Sequence, residues 1–283
     1  MRPWTDEQVW EAFDAWRWIP PTAIVRRRSA YELIVTPGTY ALTYAYGVHV
    51  DPSGDPEATL DELRHDVEAL GGTGVRVQLS PRATPADLAD RLRRRRYRPI
   101  EDAEVLVYEL RETNAEPRRP PAPTPEEVTV GEVRTDREYE EFTDLSAPIF
   151  GEPPISPEQR TAFLEAMHRS LQETGHSNRY LARLDGTPVG RAGMEIVGPV
   201  ARLWGTGVLP AFRRRGIYGA LVRYRADEAR DRGAEVALVV ARVGTSGPIL
   251  KKLGFRPVGS VHVHEIRWDE AGPPTDRGAD GRG

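Results

Sequence analysis

The sequence predicts an α+β protein, a mixed sheet flanked by helices, and three observations support this class. Apolar runs of strand length alternate with segments of helical periodicity along most of the 283 residues. An apolar strand that ends near residue 208 leads through an arginine-rich turn into a helical pattern from Ile217. Residues 92–110 also align with residues 250–268, and a repeat of this length predicts two copies of one fold in tandem.

The composition excludes several classes of function. The chain has no cysteine, which rules out disulfides, thiolate metal sites and a cysteine nucleophile. Its formal net charge of -4 at pH 7 argues against general nucleic-acid binding. No apolar run approaches the length of a membrane span, and the N-terminus lacks the apolar core of an export signal. We therefore expect a cytoplasmic protein with neither nucleic acid nor a membrane as partner.

Residues 1–112 carry the signals of a first domain. Thr5 is expected to cap a helix that has acids in its first turn. Further helices are expected at 56–70 and from Thr84 to about Arg95. Strands are expected at 23–27, 31–35, 40–50, 75–79 and 103–110.

Residues 128–268 carry the signals of a second domain. Proline and charge in residues 113–127 predict an extended linker before it, and the composition of residues 269–283 predicts a disordered tail. Capping boxes at Thr135 and Ser156 predict two helices. The proline-rich stretch SAPIFGEPPI between them predicts a loop rather than a helix.

The arginine-rich turn has the features of a phosphate site. A helix N-terminus leaves backbone N–H groups unpaired and carries a partial positive charge. Gly216 lets the backbone come close to a ligand, and Arg213, Arg214 and Arg215 add positive charge. Neither a Walker loop nor the GxGxxG fingerprint fits the turn. A basic surface turn that binds nothing is the alternative.

Residues 213–218 (RRRGIY) resemble the Gln/Arg-x-x-Gly-x-Gly/Ala motif of the GNAT superfamily of acyl-CoA N-acyltransferases, although Tyr218 replaces its final small residue. A strand, a loop, a short helix, Gly254-Phe255 and a last strand follow in the family's order. The resemblance covers residues 130–268 and implies an acyl-CoA-binding catalytic domain at 128–268. The repeat makes residues 1–112 a degenerate GNAT-like domain, because its DPSGD segment is acidic where CoA would need Arg and Gly.

The resemblance implies acetyl-CoA as co-substrate, no metal, and direct transfer of the acetyl group to an amine. It implies two sets of contacting residues in this chain. The expected cofactor contacts are Thr206, Val208, Leu209, Arg213, Arg214, Arg215, Gly216, Ile217, Tyr218, Gly219 and Ser246. The expected acceptor contacts are Phe150, Glu152 and Trp204.

Glu195 is the predicted catalytic base. A two-residue turn at Gly198-Pro199 would pair Glu195 with Arg202 across a hairpin, on the face that carries Trp204 and Thr206. An amine must lose a proton to become nucleophilic, and a carboxylate near the thioester can accept it. A cross-strand ion pair with Arg202 is the alternative role of Glu195.

A general acid is missing from its usual place. Family enzymes often carry a Tyr and an Asn where this chain has Leu250 and Val243, so Thr245 and Ser246 are the nearest hydroxyls. His262 and His264 alternate on one face of the last strand, and a metal site there would need a third ligand. We expect no metal.

Three functions remain open at this stage. The first is N-acetyl transfer to an amine of a small molecule or peptide. The second is a non-catalytic acyl-CoA-binding or sensor module, which the missing Tyr and Asn leave open. The third is an aminoacyl-tRNA-dependent peptidyltransferase, since some of these look like paired GNAT folds, although the acidic net charge counts against it. The acidic chain favours a cationic acceptor, and a homodimer is among the expected assemblies.

Overall fold

The computed structural model describes residues 3–36, 43–48, 54–110, 128–151 and 155–268. The predicted linker 113–127, the predicted tail 269–283 and Glu152 lie outside the described residues. The helices are α1 (Asp6–Ala15), α2 (Pro56–Ala69), α3 (Leu88–Arg94), α4 (Asp136–Asp144), α5 (Ser146–Phe150), α6 (Pro157–Thr174), α7 (Ile217–Asp231) and α8 (Ser246–Lys252). The strands are β1 (Ile24–Arg27), β2 (Glu32–Val35), β3 (Thr43–Tyr46), β4 (Gly74–Leu79), β5 (Arg98–Glu109), β6 (Val128–Glu132), β7 (Arg179–Leu184), β8 (Thr187–Val197), β9 (Val200–Val208), β10 (Val236–Arg242) and β11 (Arg256–Arg267). The predicted α+β class is confirmed.

The chain divides into two compact units, and each unit draws on two separate stretches. The first unit comprises the described residues within Met1–Thr22 and Asp102–Val261. The second comprises those within Ala23–Glu101 and His262–Gly283. The predicted boundaries at 112 and 128 give each domain one continuous stretch of sequence, whereas each of these units combines two stretches.

The difference arises because the last strands of the two repeats are exchanged. β5 closes the first repeat in sequence, but it pairs antiparallel with β10 of the first unit along residues 103–109. β11 closes the second repeat, but its residues 262–267 pair antiparallel with β4 of the second unit. The N-terminal helix α1 also belongs to the first unit.

The second unit has the strand order β1-β2-β3-β4-β11. Only the β3–β4 pair is parallel among these strands. α2 begins at Pro56, where a missing N–H costs nothing, and Asp55 caps it. Leu60, Leu63 and Val67 recur at helical spacing and are buried in the core of this unit.

One carboxylate on α2 is buried beneath partly exposed arginines. Asp66 is 1 % exposed, and it accepts hydrogen bonds from Arg26 and Arg28, each at 2.7 Å, and from the Tyr31 hydroxyl at 3.1 Å. The hydrogen bond from Arg28 is the main reason that the pKa of Asp66 lies well below its usual range, although burial acts in the opposite direction. The charge of Asp66 is thus compensated within the unit.

The first unit has the strand order β11-β5-β10-β9-β8-β7-β6, with helices on both faces. Neighbouring residues of β7 show the two faces, because Tyr180 packs with α7 and Leu181 packs with α4 and α6. α1 packs against β5, β10 and β11. The capping boxes predicted at Thr135 and Ser156 are both present, as is one at Thr5.

Two predicted elements differ from the structure. The stretch after α4 is not only a loop, because its first residues form the short helix α5. Pro148 lies in the first turn of that helix, where its absent N–H would have no partner anyway. α3 begins at Leu88 rather than at Thr84, after a turn in which the Leu88 N–H donates to the Pro85 carbonyl at 2.9 Å.

No helix among the described residues is both long enough and apolar enough to cross a lipid bilayer.

Candidate functional site

The parallel strands β9 and β10 separate partway along their length. They pair from Val200 against Val236 to Leu203 against Val239. Beyond that point, residues 204–208 pair only with β8 and residues 240–242 only with β5, as far as the described residues show. This opening, here called the fork, leaves one backbone edge of β9 without a strand partner. Unpaired N–H and C=O groups on that edge are available to a ligand.

A β-bulge at Gly205 changes which way the following side chains point. The register against β8 shifts by one residue between Trp204 and Gly207, and Gly205 has a φ of 56°. Trp204 packs with the α4–α6 cluster, whereas the Thr206 hydroxyl accepts a hydrogen bond at 2.7 Å from Arg225 of α7. The prediction that Thr206 shares a face with Trp204 is therefore wrong, because one inserted residue reverses the alternation.

Two glycines let large side chains lie directly on the sheet. A Cβ at Gly193 would be 2.2 Å from the Trp204 ring, and a Cβ at Gly207 would be 2.2 Å from Cγ2 of Ile149. Any side chain at either position would displace its neighbour. The face beside the fork is thus covered by Trp204 and by α5.

The basic turn is a short 3-10 segment, Pro210–Phe212, followed by two residues with left-handed backbone. Arg214 has a φ of 64° and Gly216 a φ of 77°, and Gly216 is the N-cap of α7. The first N–H groups of a helix lack an intrahelical partner. No side chain caps those of this 15-residue helix. Backbone that alternates in this way forms concave sets of N–H groups that bind anions.

The arginines of the turn are exposed and have different contacts. Arg213 donates from Nε to the Val208 carbonyl at 3.2 Å, which ties the turn to the end of β9. Arg215 lies over the Phe212 ring, 5.5 Å from its centroid. Exposed cations beside uncapped N–H groups fit a phosphate or pyrophosphate group. The residues present therefore fit the CoA pyrophosphate that the sequence predicts here.

Some of the predicted cofactor contacts have buried side chains, so that only their backbone could reach a ligand. Others already form hydrogen bonds within the protein. The side chains of Val208 and Ile217 are buried in the core. The Leu209 N–H donates to the Val189 carbonyl at 2.9 Å. Gly219 lies in the first turn of α7.

Tyr218 lies across the mouth of the fork. Its side chain is partly buried, and its hydroxyl is hydrogen-bonded to Thr206 of β9 and to Ser246, the first residue of α8. Ser246 Oγ also accepts from the Arg242 N–H at 3.1 Å. Burial raises the pKa of Tyr218, while nearby Arg225 and the two hydroxyls act to lower it.

Arg225 is fully buried next to these hydroxyls. The sequence did not lead us to expect it there. Besides Thr206, it donates to the carbonyl of Gly193 at 2.6 Å and to that of Leu221 at 2.9 Å. Burial lowers the pKa of Arg225 to about 10, so it stays charged at neutral pH. The sequence did carry a signal of this buried charge. Arg225 lies four residues after Leu221, on the apolar face of α7, where an ionisable residue is unexpected.

Glu195 has the predicted register but not the alternative ion pair. It lies opposite Arg202, and Val197 lies opposite Val200, as the hairpin predicted. Arg202 instead donates to the Ala12 carbonyl and lies over Trp16, and the Glu195 carboxylate accepts from Asn178 at 3.4 Å.

Burial raises the pKa of Glu195, against the effects of Arg179 and Arg232. Its position opposite Arg202 is beside the paired part of β9, before the fork opens. Its role as catalytic base stays a prediction.

An aromatic wall borders the fork on the side opposite α7. It consists of Trp18, Phe163 and Trp204. Trp18 stacks parallel to Phe163 at 6.2 Å and is tilted against Trp204 at 6.0 Å. Nε1 of Trp204 is buried and has no hydrogen-bond partner among the described residues. Trp18 comes from the segment after α1, which the sequence assigned to the other domain.

The remaining predicted residues are placed as follows. Phe150 ends α5 and lies 5.8 Å from the guanidinium of Arg191. Leu250 is buried in α8 and Val243 is exposed, and neither side chain carries a proton to donate.

One cluster of possible metal ligands exists among the described residues, and it lies away from the histidines that the sequence suggested. Glu132, His176 and Glu228 lie close together. Glu132 already accepts from the Ser177 N–H at 2.6 Å, and Glu228 from the Tyr180 hydroxyl at 2.8 Å. Their carboxylates are thus engaged by protein donors.

A parallel strand pair that opens beside an uncapped, basic helix N-terminus places an open strand edge next to a group of N–H donors that suits an anion. Residues 139–255 match the family model described as Acetyltransferase (GNAT) family. That part of the chain is therefore similar to a GNAT acetyltransferase domain, as the resemblance predicted. No curated protein matches the sequence.

Solved structures share the fold of both units. A GCN5-related N-acetyltransferase from Kribbella flavida is 21 % identical with a TM-score of 0.62, and the match covers 88 % of this chain and 92 % of that one. One from Sphaerobacter thermophilus is 22 % identical with a TM-score of 0.62, covering 84 % and 77 %. A tandem GNAT protein from the clavulanic acid biosynthesis pathway is 14 % identical with a TM-score of 0.59, covering 94 % and 88 %. The tandem GNAT-like arrangement is confirmed as a fold.

Proposed function

We propose that the protein is an N-acetyltransferase that moves an acetyl group from acetyl-CoA to the amine of a small molecule or peptide by direct transfer. The observation that carries this proposal is the fork between β9 and β10, which leads to the uncapped N-terminus of α7. The GNAT family match supports acyl transfer in general. The donor and the acceptor are the proposal.

The fork and the turn divide the binding of acetyl-CoA between them. The unpaired edge of β9 would hydrogen-bond the amides of the pantetheine arm, as a neighbouring strand does. The N–H groups at the start of α7 would hold the pyrophosphate, helped by the charge of Arg214 and Arg215. The bond from Arg213 to Val208 fixes the angle between strand and turn.

The aromatic wall is the proposed acceptor side. Trp204 is the first residue of β9 beyond the paired region, so it lies at the closed end of the fork. Flat rings and a buried indole N–H would hold an apolar or aromatic body that carries one hydrogen-bond acceptor. Holding this body against the thioester supplies the orientation that direct transfer requires.

A thermal-shift titration with acetyl-CoA tests the proposal. We expect a saturable rise in melting temperature for the wild type, equivalent to about 2.7 kcal/mol at roughly 100 times Kd. Gly216→Glu should abolish it, because a carboxylate would occupy the place of the pyrophosphate.

Gly233→Glu is the matched control for the titration. Gly233 follows the other end of the same helix, has a φ of 85° and has open space around it. This variant therefore introduces the same residue at a similar left-handed position and should keep the wild-type response. A wild type that does not respond to acetyl-CoA would contradict the proposal.

Two other functions remain to be separated from this one. A sensor module would bind acetyl-CoA but release no CoA thiol with any amine of a panel. A peptidyltransferase would retain tRNA on a filter, which we do not expect from a chain with net charge -4. A cytoplasmic location and a homodimer also stay proposals, which cell fractionation and light scattering would test.

A further inference from the structure

Two buried N–H donors on one face of β9 lack hydrogen-bond partners. Nε of Arg202 and Nε1 of Trp204 are both buried, and neither has a partner among the described residues. The two residues are two positions apart and precede the bulge at Gly205, so their side chains leave the same face of the sheet, about 7 Å apart at the backbone. Buried polar groups are ordinarily hydrogen-bonded, and an open one calls for an explanation. Two open donors side by side indicate an acceptor that comes from outside the chain.

The charge of Arg202 is also uncompensated. Arg202 is 6 % exposed, and its hydrogen bond to the Ala12 carbonyl of α1 reaches a neutral oxygen. Glu195 lies opposite Arg202 across the hairpin, but its carboxylate accepts from Asn178 instead. Burial and the charge of Arg17 lower the pKa of Arg202 to about 10, so it stays charged at neutral pH. A buried cation thus meets no carboxylate among the described residues.

The segment after α1 places an aromatic ring beside each of the two donors. The Arg202 guanidinium lies 5.0 Å from the centroid of the Trp16 ring, and the rings of Trp18 and Trp204 are 6.0 Å apart. A step of two residues in the segment therefore matches a step of two residues in β9, and all four residues belong to the first unit. A ligand that lies on the aromatic wall has this guanidinium about one side-chain spacing away.

We propose that the acceptor amine also carries a carboxylate, and that Arg202 and the indole N–H of Trp204 bind its oxygens. The inference rests on the proposed function and names the substrate class of the same site. A carboxylate offers an acceptor to each open donor and the negative charge that Arg202 lacks. The net charge of the chain favours a cationic acceptor, but it acts at long range, whereas these donors act at contact.

Two acceptors that differ only in this group test the inference. The first is para-(aminomethyl)benzoate and the second is its amide, para-(aminomethyl)benzamide, so both share the ring and the primary amine. With acetyl-CoA as donor, we expect kcat/KM of the wild type to be about 10–100-fold higher for the benzoate, because a hydrogen bond to a charged group is worth about this much. Release of the CoA thiol measures both rates.

Arg202→Met removes the charge and keeps a long side chain, and Arg160→Met is the matched control. Arg160 lies on α6, one turn before Phe163 of the aromatic wall, and has its own carboxylate partner, Asp144, at 3.1 Å. The preference for the benzoate should fall below about threefold in Arg202→Met and stay at the wild-type value in Arg160→Met. A merely structural role of Arg202 would lower both rates together and leave their ratio unchanged, because both acceptors are measured on one preparation.

A binding readout does not depend on turnover. The probes are para-toluate and para-toluamide, which lack the amine and are titrated without acetyl-CoA. We expect para-toluate to raise the melting temperature of the wild type and of Arg160→Met in a saturable way, but not that of Arg202→Met. The response to para-toluamide should be weaker, because it carries no charge.

The outcomes separate this inference from the proposed function. Equal kcat/KM for the two acceptors on the wild type, or a preference that persists in Arg202→Met, overturns the inference and leaves the proposed function standing. A wild type that binds no acetyl-CoA overturns the proposed function. In that case, or if neither acceptor is acetylated, the titration decides, and a wild type that does not respond to para-toluate overturns the inference.

Discussion

Helices α2 and α7 each carry one deeply buried charge, and the two units treat these charges differently. Asp66 on α2 accepts hydrogen bonds from Arg26, Arg28 and Tyr31, so its charge is compensated by adjacent side chains. Arg225 on α7 meets only carbonyl and hydroxyl oxygens among the described residues. The second unit thus uses its buried charge for stability. The first unit keeps an uncompensated positive charge beside the fork.

Asp66→Ala should give the largest effect on stability. It leaves Arg26 and Arg28 without their buried partner, and we expect the free energy of unfolding to fall by about 3 kcal/mol. Urea unfolding at neutral pH measures this. Glu62→Ala is the control, because Glu62 contacts the same Arg28 at 3.5 Å from an exposed position. It should cost less than about 1 kcal/mol. Equal losses in the free energy of unfolding for Asp66→Ala and Glu62→Ala would contradict a special role of the buried carboxylate.

Acid should remove part of the Asp66 contribution. The pKa of Asp66 is lowered in the folded state, so its contribution is complete above the unfolded pKa near 3.9 and is lost as the pH falls towards the folded pKa. Between pH 5 and pH 3, the advantage of the wild type over Asp66→Asn should shrink by about 1 kcal/mol. Urea midpoints of both proteins at the two pH values test this, and a constant difference would contradict it.

Arg225→Met should have the smallest effect on stability, in contrast with Asp66→Ala. Methionine has a similar length, and the cost of desolvating an uncompensated cation disappears while three oxygens lose a donor. We expect the free energy of unfolding to fall by roughly 0.5–1 kcal/mol. A loss as large as that of Asp66→Ala, in the same urea experiment, would show that Arg225 serves mainly as a structural group.

The sequence predicted what depends on local patterns. The strand, basic turn and helix around Gly216 lie where the pattern placed them, and so does the hairpin that pairs Glu195 with Arg202. The capping boxes at Thr135 and Ser156 were also predicted, because each depends on residues three positions apart.

Features that depend on distant contacts or on single inserted residues were missed. A glycine within a strand pattern suggests a bulge, but the sequence analysis treated the strand as regular, and so the face of Thr206 was wrong. Arg225 was not noticed because arginine on a helix is ordinarily solvated. Trp18 reaches Phe163 and Trp204 only through the tertiary fold, which its position in the sequence does not reveal.

The exchange of β5 and β11 has a consequence for synthesis on the ribosome. Residues 74–79 form β4, but the strand that pairs with β4 at 262–267 is translated almost two hundred residues later. Contacts this far apart in sequence form slowly and close large loops. The second unit therefore keeps one edge of β4 without its partner until residues 262–267 have been made, and we expect it to be the part of the nascent protein that chaperones protect longest.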